Sequence, residues 1–156
     1  MIFTALGEEN LKGCLSRISL GKLRTYKLFD RIKTRLHLGK LNQDALRRCS
    51  PKVYARLSDT DDDLATDLSQ AILVSHLDLI VAVLDFLGVP HQDGFFDKDA
   101  DVAKYLTTGW QQRAYDEFQT RFPAPVIVFY VNHLAHEVTP GAEIFRATPA
   151  AGKADA

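Results

Sequence analysis

The stretch from Asp61 to Leu87 restricts the fold of this chain more than any other segment. Ala65, Leu68, Ile72, Leu73, Leu79, Ile80, Val83 and Leu84 recur at helical spacing along it. Asp63, Asp67, Gln70, Asp78 and Asp85 fall within an arc of about 80° on the other side. Gly88-Val89-Pro90 then stops any helix. The pattern predicts one long amphipathic helix over about 61–87. The fold that buries its apolar face is an all-α, single-domain bundle of five to seven helices around it. With 156 residues, such a domain removes roughly 70% of its unfolded surface from water.

The flanking segments supply the other helices. Leu11, Cys14, Leu15 and Ile18 form an i, i+3, i+4, i+7 stripe over 8–19, with Glu8 and Glu9 suiting the positive end of the helix dipole. A second helix is expected over 22–37, and a short one from Asn42 to Arg48. Ser50-Pro51 reads as a cap followed by proline at the first helical position, starting a helix to about Leu57. Asp99 or Asp101 suits the start of a helical turn through Leu106. Thr108 with Gln111 resembles a capping box, and Trp110, Ala114, Phe118 and Phe122 repeat every four residues behind it. Residues 126–131 have strand-like composition, but a lone strand needs a partner, and Asn132 to Glu137 continue naturally as helix. A buried helix is therefore expected there. The domain is expected to span 1–138. Residues 139–156, rich in Ala, Pro and Gly, read as a C-terminal tail.

Several function classes lose their support. Cys14 and Cys49 are too few for a disulfide scaffold and form no CxxC pair. Met1 to Glu9 lacks the basic start of a secretion signal. Two aspartates and a histidine within Ala71–Pro90 argue against a membrane span. A cytoplasmic protein is expected. GxGxxG, GxxxxGK[ST] and GxSxG motifs do not occur, and no cofactor is implied. Asp97 to Asp101 imitates the start of a calcium loop. Val102 replaces its glycine and Thr108 its bidentate glutamate, so it reads as loop and caps.

Net charge is −1, yet the charge is divided unevenly. Residues 1–58 hold 13 Lys/Arg against 4 acids, a net of +9; residues 59–156 hold 6 against 16, a net of −10. Arg24, Lys27, Arg31 and Arg35 share one narrow face of the second helix. Like charges four apart repel by roughly 0.2–0.5 kcal/mol per pair, so an anionic surface or water must face them. Arg47 and Arg48 extend the positive region. The ordinary explanation is a solvated face, or pairing with the chain's own acids at 59–67. The functional one is an acidic partner: a protein surface, a second copy, or nucleic acid. A pI near 6.5 ranks nucleic acid below the others. The short helices at 42–48 and 51–57 carry only a weak helix-turn-helix signal, because their turn lacks glycine.

Histidines offer the alternative chemistry. His76 falls on the apolar face of the 61–87 helix, where a core histidine bonded to a neighbour is the plain reading. His133, His136 and Glu137 lie at i, i+3 and i, i+4, a spacing that can hold a divalent metal, with Asn132 on the same side. Such a set needs a further ligand, such as His76. The sequence thus favours a non-enzymatic binding or assembly module with a basic N-terminal face. Its competitor is a small metal-dependent or ligand-binding helical enzyme built on His76, His133, His136 and Glu137.

Overall fold

The computed structural model describes residues 2–19, 47–58, 62–97 and 99–148. Every regular element among them is helical, as the periodicity predicts, and the chain is all-α. In order these are α1 (Ile2–Leu6), α2 (Glu8–Leu15), α3 (Ser50–Ser58), α4 (Asp62–Ser75), α5 (Leu77–Leu87), a 3-10 turn (Val102–Tyr105), α6 (Trp110–Phe118) and α7 (Ala124–Val138). The chain divides into two compact units, Met1–Leu77 and Asp78–Ala156. Among the described residues, no single helix is long and apolar enough to cross a membrane.

In the N-terminal unit, α2 turns Leu11, Cys14 and Leu15 inward from the predicted stripe. The helix ends earlier than the sequence suggests. The Ser16 hydroxyl donates to the Gly13 carbonyl at 2.9 Å, and the N–H groups of Arg17 and Ile18 bond three residues back. Such local bonds tighten and close a last turn. α1 packs on both α2 and α3 and buries Phe3. The sequence reading assigns no helix to residues 2–6. α3 starts at the Ser50-Pro51 signal, with the Cys49 carbonyl accepting from the N–H groups of Lys52 and Val53. Its Val53 and Leu57 are buried four residues apart. On α4, Leu64, Leu68, Ala71 and Ile72 are fully buried.

The single helix expected over 61–87 is two helices, interrupted at His76. The cause lies in side chains that bond to backbone. The Ser75 hydroxyl donates back to the Ala71 carbonyl at 2.6 Å while accepting the Ser19 N–H at 3.1 Å. Serine bonding of this kind bends helices. The His76 N–H then turns to the Leu73 carbonyl, three residues back. Asp78, in the first turn of α5, accepts the Leu79 N–H at 2.9 Å, which satisfies a donor that a fresh helix start leaves open. A hydroxyl and a carboxylate thus outweigh the apolar periodicity that runs across them. The acidic arc consequently belongs to two helices.

In the C-terminal unit, α5 buries Leu79, Ile80, Val83 and Leu84. α7 is the helix expected for the ambiguous 126–138 segment. Pro125 sits in its first turn, where a missing N–H costs nothing, and Ile127, Phe129, Val131 and Leu134 are fully buried. α6 packs on α7 and turns Trp110, Ala114 and Phe118 inward. Phe118 meets Phe86 edge-on, with ring centroids 5.6 Å apart. The Thr108–Gln111 capping box does not form. Gly109 stands at the helix start with φ 78°, a left-handed conformation that a side chain disfavours. Arg113 reaches back instead, donating to the Thr108 carbonyl and the Thr107 hydroxyl, both at 2.7 Å.

Between α5 and the 3-10 turn, Gln92 and Phe95 exchange two backbone hydrogen bonds at 2.7 and 3.0 Å. Asp93 and Gly94 form the two-residue turn with φ of 53° and 91°, the pattern of a tight primed hairpin. A Cβ on Gly94 would stand 3.1 Å from Ile80 Cγ2, so the turn is seated closely on α5.

Candidate functional site

Three groups of side chains bear on function. The first is the cation set. Arg24, Lys27, Arg31 and Arg35 lie outside the described residues. Arg47 and Arg48 are in a helical turn just before α3, and both are exposed, as is Lys52 on α3 itself. Lys52 stands outward because Val53 and Leu57 take the inner face of α3.

The second group is the histidine set. His133 and Glu137 are one turn apart on α7, with His133 Nε2 3.8 Å from Glu137 Oε2. Burial, and then the neighbouring His136, holds His133 below the ordinary value of 6.5. Burial also pushes the Glu137 carboxyl upward. Desolvation thus outweighs their mutual attraction in both cases. The His133 ring stacks on Phe129 at a centroid distance of 6.2 Å. His76 lies at the α4–α5 interruption, in the N-terminal unit. Among the described residues, no three His, Cys, Asp or Glu side chains cluster in an arrangement that could hold a metal ion. Among the described residues, the pair on α7 therefore has no third ligand beside it.

The third group is one that the sequence reading places differently. Asn132 is expected beside His133 on an outward polar side. It is instead fully buried. Its Nδ2 donates to the Val128 carbonyl at 2.9 Å and to the Phe145 carbonyl at 3.0 Å. Its Oδ1 accepts the Phe145 N–H at 2.8 Å. On α6, Gln112 does the same three residues further along the chain. Its Oε1 accepts the Thr148 N–H at 3.0 Å, and its Nε2 donates to the Thr148 carbonyl at 3.2 Å and to Asp116 at 2.9 Å. A carboxamide offers a donor and an acceptor side by side. An extended residue presents the complementary pair, as it does to a neighbouring strand. The two amides therefore hold residues 143–148 as a strap across α6 and α7. The first part of the segment assigned to a tail is tied down. The sequence signal was present: an asparagine inside an apolar helical run must find partners or destabilise its site.

Beside the strap, Ala103, Leu106, Trp110, Ala135, Val138, Ala142 and Glu143 are among the residues that line an open cleft of about 290 Å³. In the hairpin loop, His91 Nδ1 accepts the Gly94 N–H at 3.0 Å. Its Nε2 then carries the proton and donates to Asp85 at 2.7 Å. Both ring nitrogens are committed to structure. Cys14 is fully enclosed, and burial pushes its thiol up to about 12, so it is an inert core residue rather than a nucleophile.

No family model matches the chain, and no curated protein or solved structure is significantly similar to it.

Proposed function

We propose that the chain is a non-enzymatic binding or assembly module whose cation-rich N-terminal segment engages an acidic protein surface or a second copy of itself. The observation that carries this reading is the charge division. Thirteen Lys/Arg against four acids in residues 1–58 faces six against sixteen in the remainder. The exposure of Arg47, Arg48 and Lys52 supports it, since all three cations stand at the surface. Arg24, Lys27, Arg31 and Arg35 extend the same charge in sequence. Screening hides charges beyond about 8 Å at physiological salt, so a local basic surface acts on a partner even when the whole chain is near neutral. A cytoplasmic setting fits the two thiols that this reading leaves reduced.

The test is a titration of the purified chain with poly-glutamate, duplex DNA and single-stranded RNA at two salt concentrations, with hydrodynamic mass followed in parallel. Binding to poly-glutamate, or self-association, that weakens as salt rises supports the proposal. Binding to nucleic acid alone moves the function to the lower-ranked partner. A monomer that binds none of the three at low salt overturns it. Arg47→Glu/Arg48→Glu in the full chain should weaken binding several-fold.

A further inference from the structure

We propose that the α6–α7 face is a site that reads the main chain of an extended peptide, and that its occupant in trans is residues 143–148 of a second copy of this chain. The site is independent of the basic segment. It rests on Asn132 and Gln112, which bond the N–H and C=O of Phe145 and of Thr148. Every one of these bonds goes to a backbone atom. Asn132 is fully buried and also bonds Val128 on its own helix, so its amide is pre-set before the strand arrives. Such a site accepts an extended segment from either its own chain or another.

The occupant is argued from fit and from the linker. Residues 143–148 are shown to fit, because they fill the site in cis. The link between α7 and the strap is one turn, in which the Ala142 N–H bonds the Thr139 carbonyl at 3.0 Å. It contains Pro140 and a Gly141 with φ 82°. Opening this turn releases the strap without disturbing either helix. A second copy then restores the same four backbone bonds, so exchange loses only the turn and the association entropy. In cis, a short linker gives an effective concentration in the millimolar range. Exchange between copies is accordingly expected at high protein concentration, on the order of 1 mM.

The experiment uses the full chain. Phe145→Pro/Thr148→Pro removes both strap N–H donors and leaves Asn132 and Gln112 untouched. A fluorescent peptide of residues 140–148 should bind this variant about tenfold or more tighter than it binds the wild type, whose site is filled. N-methylation of the peptide at its Phe145 position should weaken binding about tenfold, one lost hydrogen bond at a buried acceptor. Mixed with wild type at high concentration, the variant should form a heterodimer by analytical ultracentrifugation. Equal binding of the methylated peptide overturns main-chain reading. Peptide binding without any dimer overturns the second copy as occupant. Should the double variant fail to fold, wild type titrated with the two peptides at millimolar concentration decides the first point by their ratio, and its own sedimentation decides the second.

Discussion

Among the described residues, the N-terminal unit ties distant backbone with single hydroxyl bonds, Ser75 to the Ser19 N–H and Tyr54 to the Thr4 carbonyl, whereas the C-terminal unit uses carboxamides that grip both backbone groups of one residue. Leu11, Cys14, Leu15, Leu64, Leu68 and Ile72 are all fully buried in the first unit. In the second, Asn132, Gln112 and Arg113 each bond a main-chain atom outside their own helix, and His91 bonds the Gly94 N–H within its hairpin loop. The charge follows a similar division. Met1–Leu77 holds 13 Lys/Arg and 9 acids, a net of +4, and Asp78–Ala156 holds 6 and 11, a net of −5. The difference teaches that helices are specified by spacing, but the segments between them are specified by individual carboxamides, imidazoles and guanidiniums.

This contrast can be broken or sharpened by experiment. The largest expected effect is kinetic. With its thiol pushed up to about 12 from 9.0, Cys14 has roughly a thousandfold less thiolate than an ordinary cysteine at the same pH. Ellman's reagent should therefore titrate one thiol per native chain, the half-buried Cys49, and two after denaturation. Two fast thiols in the native chain would show that the N-terminal interior is open.

Next is Leu68→Ala, which leaves a cavity in that same interior and should cost about 2–5 kcal/mol in urea unfolding. A loss below about 1 kcal/mol would mean that the site collapses and that the unit is loosely packed. Asn132→Ala should cost about 1–3 kcal/mol, because Phe145 loses both partners and Val128 one. Amide exchange at Phe145 should accelerate with it. Gln112→Ala, at an exposed bond pair, should cost less, about 0.5–1.5 kcal/mol, with exchange accelerated at Thr148 and unchanged at Phe145. Equal losses from the two amides would erase the distinction between a buried and an exposed clamp.

The smallest effect is on pH. Burial holds His133 below 6.5 in the folded chain, so the unfolded chain binds the proton first. Stability falls as pH drops below 6.5 and levels off beneath the folded value. Glu137 has the opposite sense. Its folded value is raised above 4.5, so its contribution is complete at or below 4.5 and is lost as pH rises through the folded value. His133→Gln should flatten the urea midpoint between pH 7 and pH 5 and leave the Glu137 limb. An unchanged slope would place the titrating group elsewhere.

Much of the fold was legible. The stripe of α2, the Ser50-Pro51 start, the four-residue repeat of α6 and the helical choice for 126–138 all came from spacing and cap chemistry. Three features escaped it, each for the same reason. Ser75 and Asp78 lie inside an apolar period and divide it, because a hydroxyl and a carboxylate compete locally for backbone groups. Gly109 takes the helix start in place of the capping box, and Arg113 draws the preceding turn toward the helix by donating to the Thr108 carbonyl and the Thr107 hydroxyl. Asn132 is buried because a partner thirteen residues away satisfies it. Periodicity reports which face is apolar; it says nothing of a distant carbonyl. Of the site residues named from sequence, Arg47 and Arg48 are exposed. His133 and Glu137 are neighbours by helix geometry alone.

The His91 ring carries a consequence of its own. With Nδ1 filled by the Gly94 amide and Nε2 directed at Asp85, the imidazole has no lone pair to offer an electrophile while the hairpin is closed. Acylation by diethyl pyrocarbonate must wait for the loop to open. The rate of that acylation, read by mass spectrometry, is thus a native clock for hairpin breathing, with no label to be added.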